Sequence, residues 1–147
     1  MIYSLGQKAK TVFEELIIDK SRISQYELIT SETFTSYGVC QFSFVKSING
    51  FNTNDTLSIA IDRDGKIKSY TGSRQGIFDN LTVNADRSDI EKFIDEKVNS
   101  RYKNQTVKYN VNSMTIDKKK NKFYIRCFVG VETEEYITGD EYEYRLK

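Results

Sequence analysis

A chain of 147 residues is long enough to close one hydrophobic core, and 38% hydrophobic with 13% aromatic residues excludes intrinsic disorder. Lys and Arg number 22 against 21 Asp and Glu, a net charge of +1, which removes the electrostatic reason to expect a nucleic-acid partner. The chain contains no His, so a Ser-His-Asp triad, a Cys-His dyad and His-based zinc sites are excluded.

No apolar run approaches the roughly 20 residues of a bilayer span, and Met1–Lys20 lacks the basic start and unbroken apolar centre of a signal peptide. Membrane insertion by this segment is therefore not expected. Cys40 and Cys127 allow one disulfide but form no framework; both sit among alternating apolar residues and read as buried free thiols.

In chain order, Leu5, Ala9, Val12, Phe13, Leu16 and Ile17 recur at helical spacing and predict an amphipathic helix from about Tyr3 to Lys20. Ile23 to Phe34 reads as a first strand, followed by a turn at Ser36-Tyr37-Gly38 and a stronger strand from Val39 to Ile48. In that strand Cys40, Phe42 and Phe44 share a face. Asn49-Gly50 predicts a two-residue turn, with FNTND as an extension of the loop. Leu57, Ile59 and Ile61 then alternate with polar residues, and Asp64-Gly65 reverses the chain into Lys66–Tyr70.

Thr71 to Arg87 has no sustained period and reads as a surface crossing pinned by Ile77 and Phe78. Ser88-Asp89-Ile90-Glu91 has the form of a capping box before a helix over about Asp89–Tyr102, whose stripe is Ile90, Phe93, Ile94, Lys97, Val98, Arg101 and Tyr102. Three strands follow, about Thr106–Ile116, Lys122–Glu132 and Tyr136–Leu146, with DKKKN as the first connection. In the middle one Phe123, Ile125, Cys127, Val129 and Val131 form the expected core face, and Tyr124, Arg126 and Phe128 the reverse.

These elements predict a single α+β domain over residues 1–147, with two helices packed on antiparallel sheet. The order helix-then-strands occurs twice, over 1–71 and 86–147, which suggests a tandem duplication. The first half, ending in LSIAIDRDGKIKSY, resembles the PepSY family, with Ile59, Ile61, Asp62, Gly65 and Ile67 in its apolar-x-apolar-Asp-x-x-Gly-x-apolar pattern. The second half ends in GDEYEYRL and departs from it. The resemblance implies an extracytoplasmic module of a Gram-positive-type cell envelope, reached through an export signal or anchor upstream of this segment. It also implies a non-enzymatic role in binding or restraining a protein or peptide partner.

Candidate chemistry is sparse. With Gly65 at the sixth position of a calcium loop, Ala60 and Thr71 fall where carboxylates are required, so Asp62–Ile67 reads as a tight hairpin. The acidic run Glu132, Glu134, Glu135, Asp140, Glu141 and Glu143 alternates with Tyr136, Tyr142 and Tyr144 as a solvated strand face would, and Lys118, Lys119, Lys120 and Lys122 form a charged turn. No spacing singles out an acid–base pair or a Ser–Lys nucleophile. The chain is read as non-enzymatic, with no cofactor and no metal. Tyr124, Arg126 and Phe128 are the candidate binding residues, because aromatic and Arg side chains combine contact area with directional bonds. A small-ligand-binding, cystatin-like curved sheet is the alternative, recognisable by a deep apolar cavity between helix and sheet.

Overall fold

A computed structural model describes residues 2–17, 19–30 and 34–147. Within these residues the fold is α+β, and every strand register determined is antiparallel. The chain forms two compact units, Met1–Ser47 with Thr53–Leu81, and Ile48–Asn52 with Thr82–Lys147.

In the first unit, helical spacing becomes α1 (Ile2–Leu16), with Leu5, Ala9 and Phe13 buried along one stripe. The helix stops short of Lys20 because that side chain folds back. Its ammonium donates to the carbonyls of Glu14, of Glu15 at 3.2 Å and of Ile17 at 2.7 Å, satisfying acceptors the helix end leaves open. Asp19 then accepts from the Ser21 amide and starts a 3-10 helix, Lys20–Gln25. Ile23 is therefore helical rather than extended, and the predicted strand shrinks to β1 (Tyr26–Thr30). Residues 31–33 of that prediction lie outside the described residues.

Strands β2 (Val39–Ile48), β3 (Phe51–Asp62) and β4 (Ile67–Ser73) complete a four-stranded meander with β1. Asn49 and Gly50 take φ of +50° and +83°, as the predicted two-residue turn requires. FNTND is not loop, however. Phe51, Thr53 and Asp55 are buried and alternate with the less buried Asn52 and Asn54, so the polar run is already strand. At the next turn Asp62 Oδ1 accepts from the amides of Asp64 and Lys66, each at 2.9 Å, and Gly65 takes φ of +84°. The core joins Leu5, Ala9, Phe13 and Ile17 to Cys40, Phe42, Phe44, Ile59 and Ile61. Phe13 stacks on Phe44 at 4.2 Å between centroids.

The second unit contains α2 (Arg87–Arg101) and the meander β5 (Lys108–Lys119), β6 (Lys122–Glu132) and β7 (Ile137–Arg145). The capping box lies two residues before the predicted one. Asp86 accepts from the Asp89 amide and Asp89 from the Asp86 amide, both at 3.0 Å, while Ser88 only donates to Asp86. A carboxylate is the stronger acceptor for the helix's open amides. The DKKKN connection contracts as well. Asp117–Lys119 is strand, and the turn falls at Lys120 and Asn121, both at positive φ. Ile90, Ile94 and Val98 are fully buried, as are Ile125, Cys127 and Val131 on β6. Both cysteines are buried thiols outside any disulfide, and burial pushes the Cys127 thiol up to about 11.

Candidate functional site

β5, β6 and β7 place the three sequence-predicted residues together on the side of the sheet away from the buried residues of β6. Strand alternation puts Ile125, Cys127, Val129 and Val131 in the core, so Tyr124, Arg126 and Phe128 face outward. Tyr124 lies opposite Asp117 and Arg145, Arg126 opposite Thr115 and Glu143, and Phe128 opposite Ser113 and Glu141. Tyr124 and Arg126 are partly exposed, and Phe128 is 43% exposed.

Arg126 is fixed. Its Nε donates to Glu141 at 2.8 Å, its Nη2 to the same Glu141 oxygen at 2.5 Å, and its Nη1 to Asp117 at 3.3 Å. Both partners are diagonal neighbours, so the guanidinium spans all three strands. The Glu141 bonds raise the already high guanidinium pKa further. Held this way, Arg126 lies 5.6 Å from the Phe128 ring centroid. In the next row Gly130 pairs with Asn110 and Gly139, and a Cβ at Gly139 would meet nothing within 4 Å. At Gly130 the same position is met by the Asn112 side chain at 3.5 Å, and in the row beyond Ile137 pairs with Glu132 and is 78% exposed. Phe128 and Ile137 thus flank an open position at Gly139 on an otherwise polar and charged face.

The opposite side of the same strands is occupied. Phe93 of α2 meets Tyr144 edge-on at 5.2 Å. Tyr102, at the end of α2, donates to Asp140 Oδ2 at 2.6 Å, and Tyr142 donates to the same oxygen at 3.1 Å. The hydrogen bond to Asp140 and then burial push the Tyr102 phenol up to about 12. The acidic run is therefore not one solvated face. Asp140, Tyr142 and Tyr144 turn toward α2, whereas Glu141 and Glu143 face outward, because strand alternation divides them.

Composition and motif reading missed a second polar cluster, in the first unit. Arg22 Nη2 lies 3.0 Å from both Asp55 Oδ2 and Asp79 Oδ1, and Lys46 Nζ is 2.8 Å from Asp79 Oδ1. Tyr26 donates to Asp55 at 2.7 Å and accepts from Arg22 at 3.0 Å. Burial, then the Asp55 bond, drives the Tyr26 pKa far above its ordinary value. Alternation held the missing signal: counting by twos from Phe42 and Phe44 reaches Lys46, and from Ile61, Ile59 and Leu57 reaches Asp55.

The grooves are shallow and mixed in lining. One of about 280 Å³ lies among Thr82, Asn84, Asp89 and Tyr144, and one of about 440 Å³ among Asn104, Thr133, Glu135 and Tyr136. Among the described residues no three metal-ligating side chains come together, and no helix is long and apolar enough to cross a membrane. No family model matches the chain, and no curated protein or solved structure is detectably similar to it.

Proposed function

We propose that the chain is a non-catalytic binding or regulatory module that acts by protein–protein contact through the outward face of β5–β7. The observation that carries this reading is the exposed Phe128 ring under an Arg126 already fixed by Glu141 and Asp117. A side chain held in its contact geometry before association loses little rotamer freedom on binding. Aromatic rings and Arg beside the open position at Gly139 also offer area, a cation and room for a partner's side chain. The inner side supports contact over a ligand pocket, because Ile90, Ile94, Val98, Ile125 and Val131 fill it with no exposed surface.

The partner is a protein or peptide. The setting proposed is the bacterial cell envelope, which rests on the resemblance of Ile59, Ile61, Asp62, Gly65 and Ile67 to the PepSY pattern. The double variant Arg126→Glu, Tyr124→Ala is expected to unfold cooperatively, with unchanged circular dichroism, and to lose a partner that the unaltered chain retains. Equal retention by a folded double variant overturns the assignment of the face.

A further inference from the structure

The first unit brings together two cations, Arg22 and Lys46, with two carboxylates, Asp55 and Asp79, so that the clustered charges cancel. The two carboxylates differ in standing. Asp55 lies within β3 with a fully buried side chain, and it is bound by Tyr26, by Arg22 and by the Gly76 amide at 3.1 Å. Asp79 lies on the turn segment after β4, and its side chain is 40% exposed. It meets Lys46 and Arg22 through one oxygen, Oδ1. The Lys46 side chain is 5% exposed. The Arg22 Nε is buried with no hydrogen-bond partner among the described residues.

We propose that Arg22 and Lys46 form a carboxylate socket that Asp79 occupies as a built-in ligand, an autoinhibitory contact that a peptide carboxylate replaces when the Asp79 side chain rotates out. The exchange needs no lifting of the backbone. Phe78 is fully buried, the Gly76 backbone amide donates to Asp55 and the Gln75 side-chain amide donates to the Thr56 carbonyl, so the segment stays down while its partly exposed carboxylate turns to solvent. With Asp79 out, Arg22, Lys46 and Asp55 sum to one positive charge. A monoanionic carboxylate, from a chain terminus or an acidic side chain, restores balance, whereas a dianion overcompensates it.

Asp79→Ala opens the socket, and formate is the probe, titrated against chloride at equal ionic strength. Asp79→Ala is expected to melt below the unaltered chain and to regain Tm with formate in a saturable manner. The unaltered chain should need at least about tenfold more formate for the same shift, because Asp79 competes, and Lys46→Met with Asp79→Ala should not respond. Equal effects of formate and chloride on Asp79→Ala, or an equal formate response in the double variant, overturn the socket. Saturable formate binding to the unaltered chain as tight as to Asp79→Ala, read from the Gly76 amide shift, overturns Asp79 as its occupant. Should Asp79→Ala fail to fold in chloride, refolding yield is the readout: formate-dependent recovery supports the socket and equal failure overturns it.

Discussion

Lys46 is 4% exposed, and a buried ammonium is tolerated there because Asp79 neutralises it at 2.8 Å. Removing one partner of such a pair strands the other's charge, at a cost of about 3–5 kcal/mol. Asp79→Asn, which leaves the buried Lys46 ammonium without its carboxylate, is expected to lose stability on that scale in urea unfolding. Lys46→Met should lose less, because Asp79 is 40% exposed and keeps Arg22 at 3.0 Å, and the double variant less than the sum of the two single changes. Tyr102 gives a pH signature. Its phenol keeps its proton up to about 12 in the fold, against 10.0 ordinarily. Its stabilising contribution is present below about pH 10 and is lost as the pH rises from about 10 toward 12, where the unfolded chain has already released the proton. Tyr102→Phe should therefore flatten part of the alkaline fall in urea midpoint. An unchanged slope would contradict the Asp140 hydrogen bond as its source. Tyr26, Tyr109, Tyr142 and the Cys127 thiol are raised as well and contribute to the same alkaline fall.

At the scale of elements, the fully buried stripe of α2 predicts that Ile94→Ala costs about 2–5 kcal/mol, the range for emptying a core site. Ile137→Ala, at a side chain 78% exposed, should stay within about 0.5 kcal/mol in the same denaturation series. Periodicity made these elements legible where it was unbroken: β2 and β6 have the bounds that alternation predicts. It failed where a polar side chain decided the outcome. Lys20 ends α1 early by taking its last carbonyls, and Asp86 captures a cap that the pattern around Ser88 suggested. Alternation from Leu57 onward gives too short a β3, because Thr53 and Asp55 look like loop residues. Their inward register is visible only once the strand is extended backward from Ile59.

For the molecule as a whole, each compact unit sets a helix against an antiparallel meander. The candidate face was legible because the reverse of a strongly alternating strand must point away from its core, which placed Tyr124, Arg126 and Phe128 together. What the sequence did not show was the environment that fixes Arg126, since Asp117 and Glu141 come from β5 and β7 at diagonal register. The first unit's ion cluster was hidden for the same reason, as its members come from the 3-10 helix, β1, β2, β3 and the turn after β4.

The most direct test of the outward face as the contact surface is site-specific photo-crosslinking in the native host, with a photoreactive phenylalanine analogue placed at Phe128 or, as an exposed control, at Tyr70. A discrete adduct is predicted from position 128, absent from position 70 and lost when Arg126→Glu is added. Adducts of equal yield from both positions, or an adduct at 128 that survives Arg126→Glu, would contradict the account.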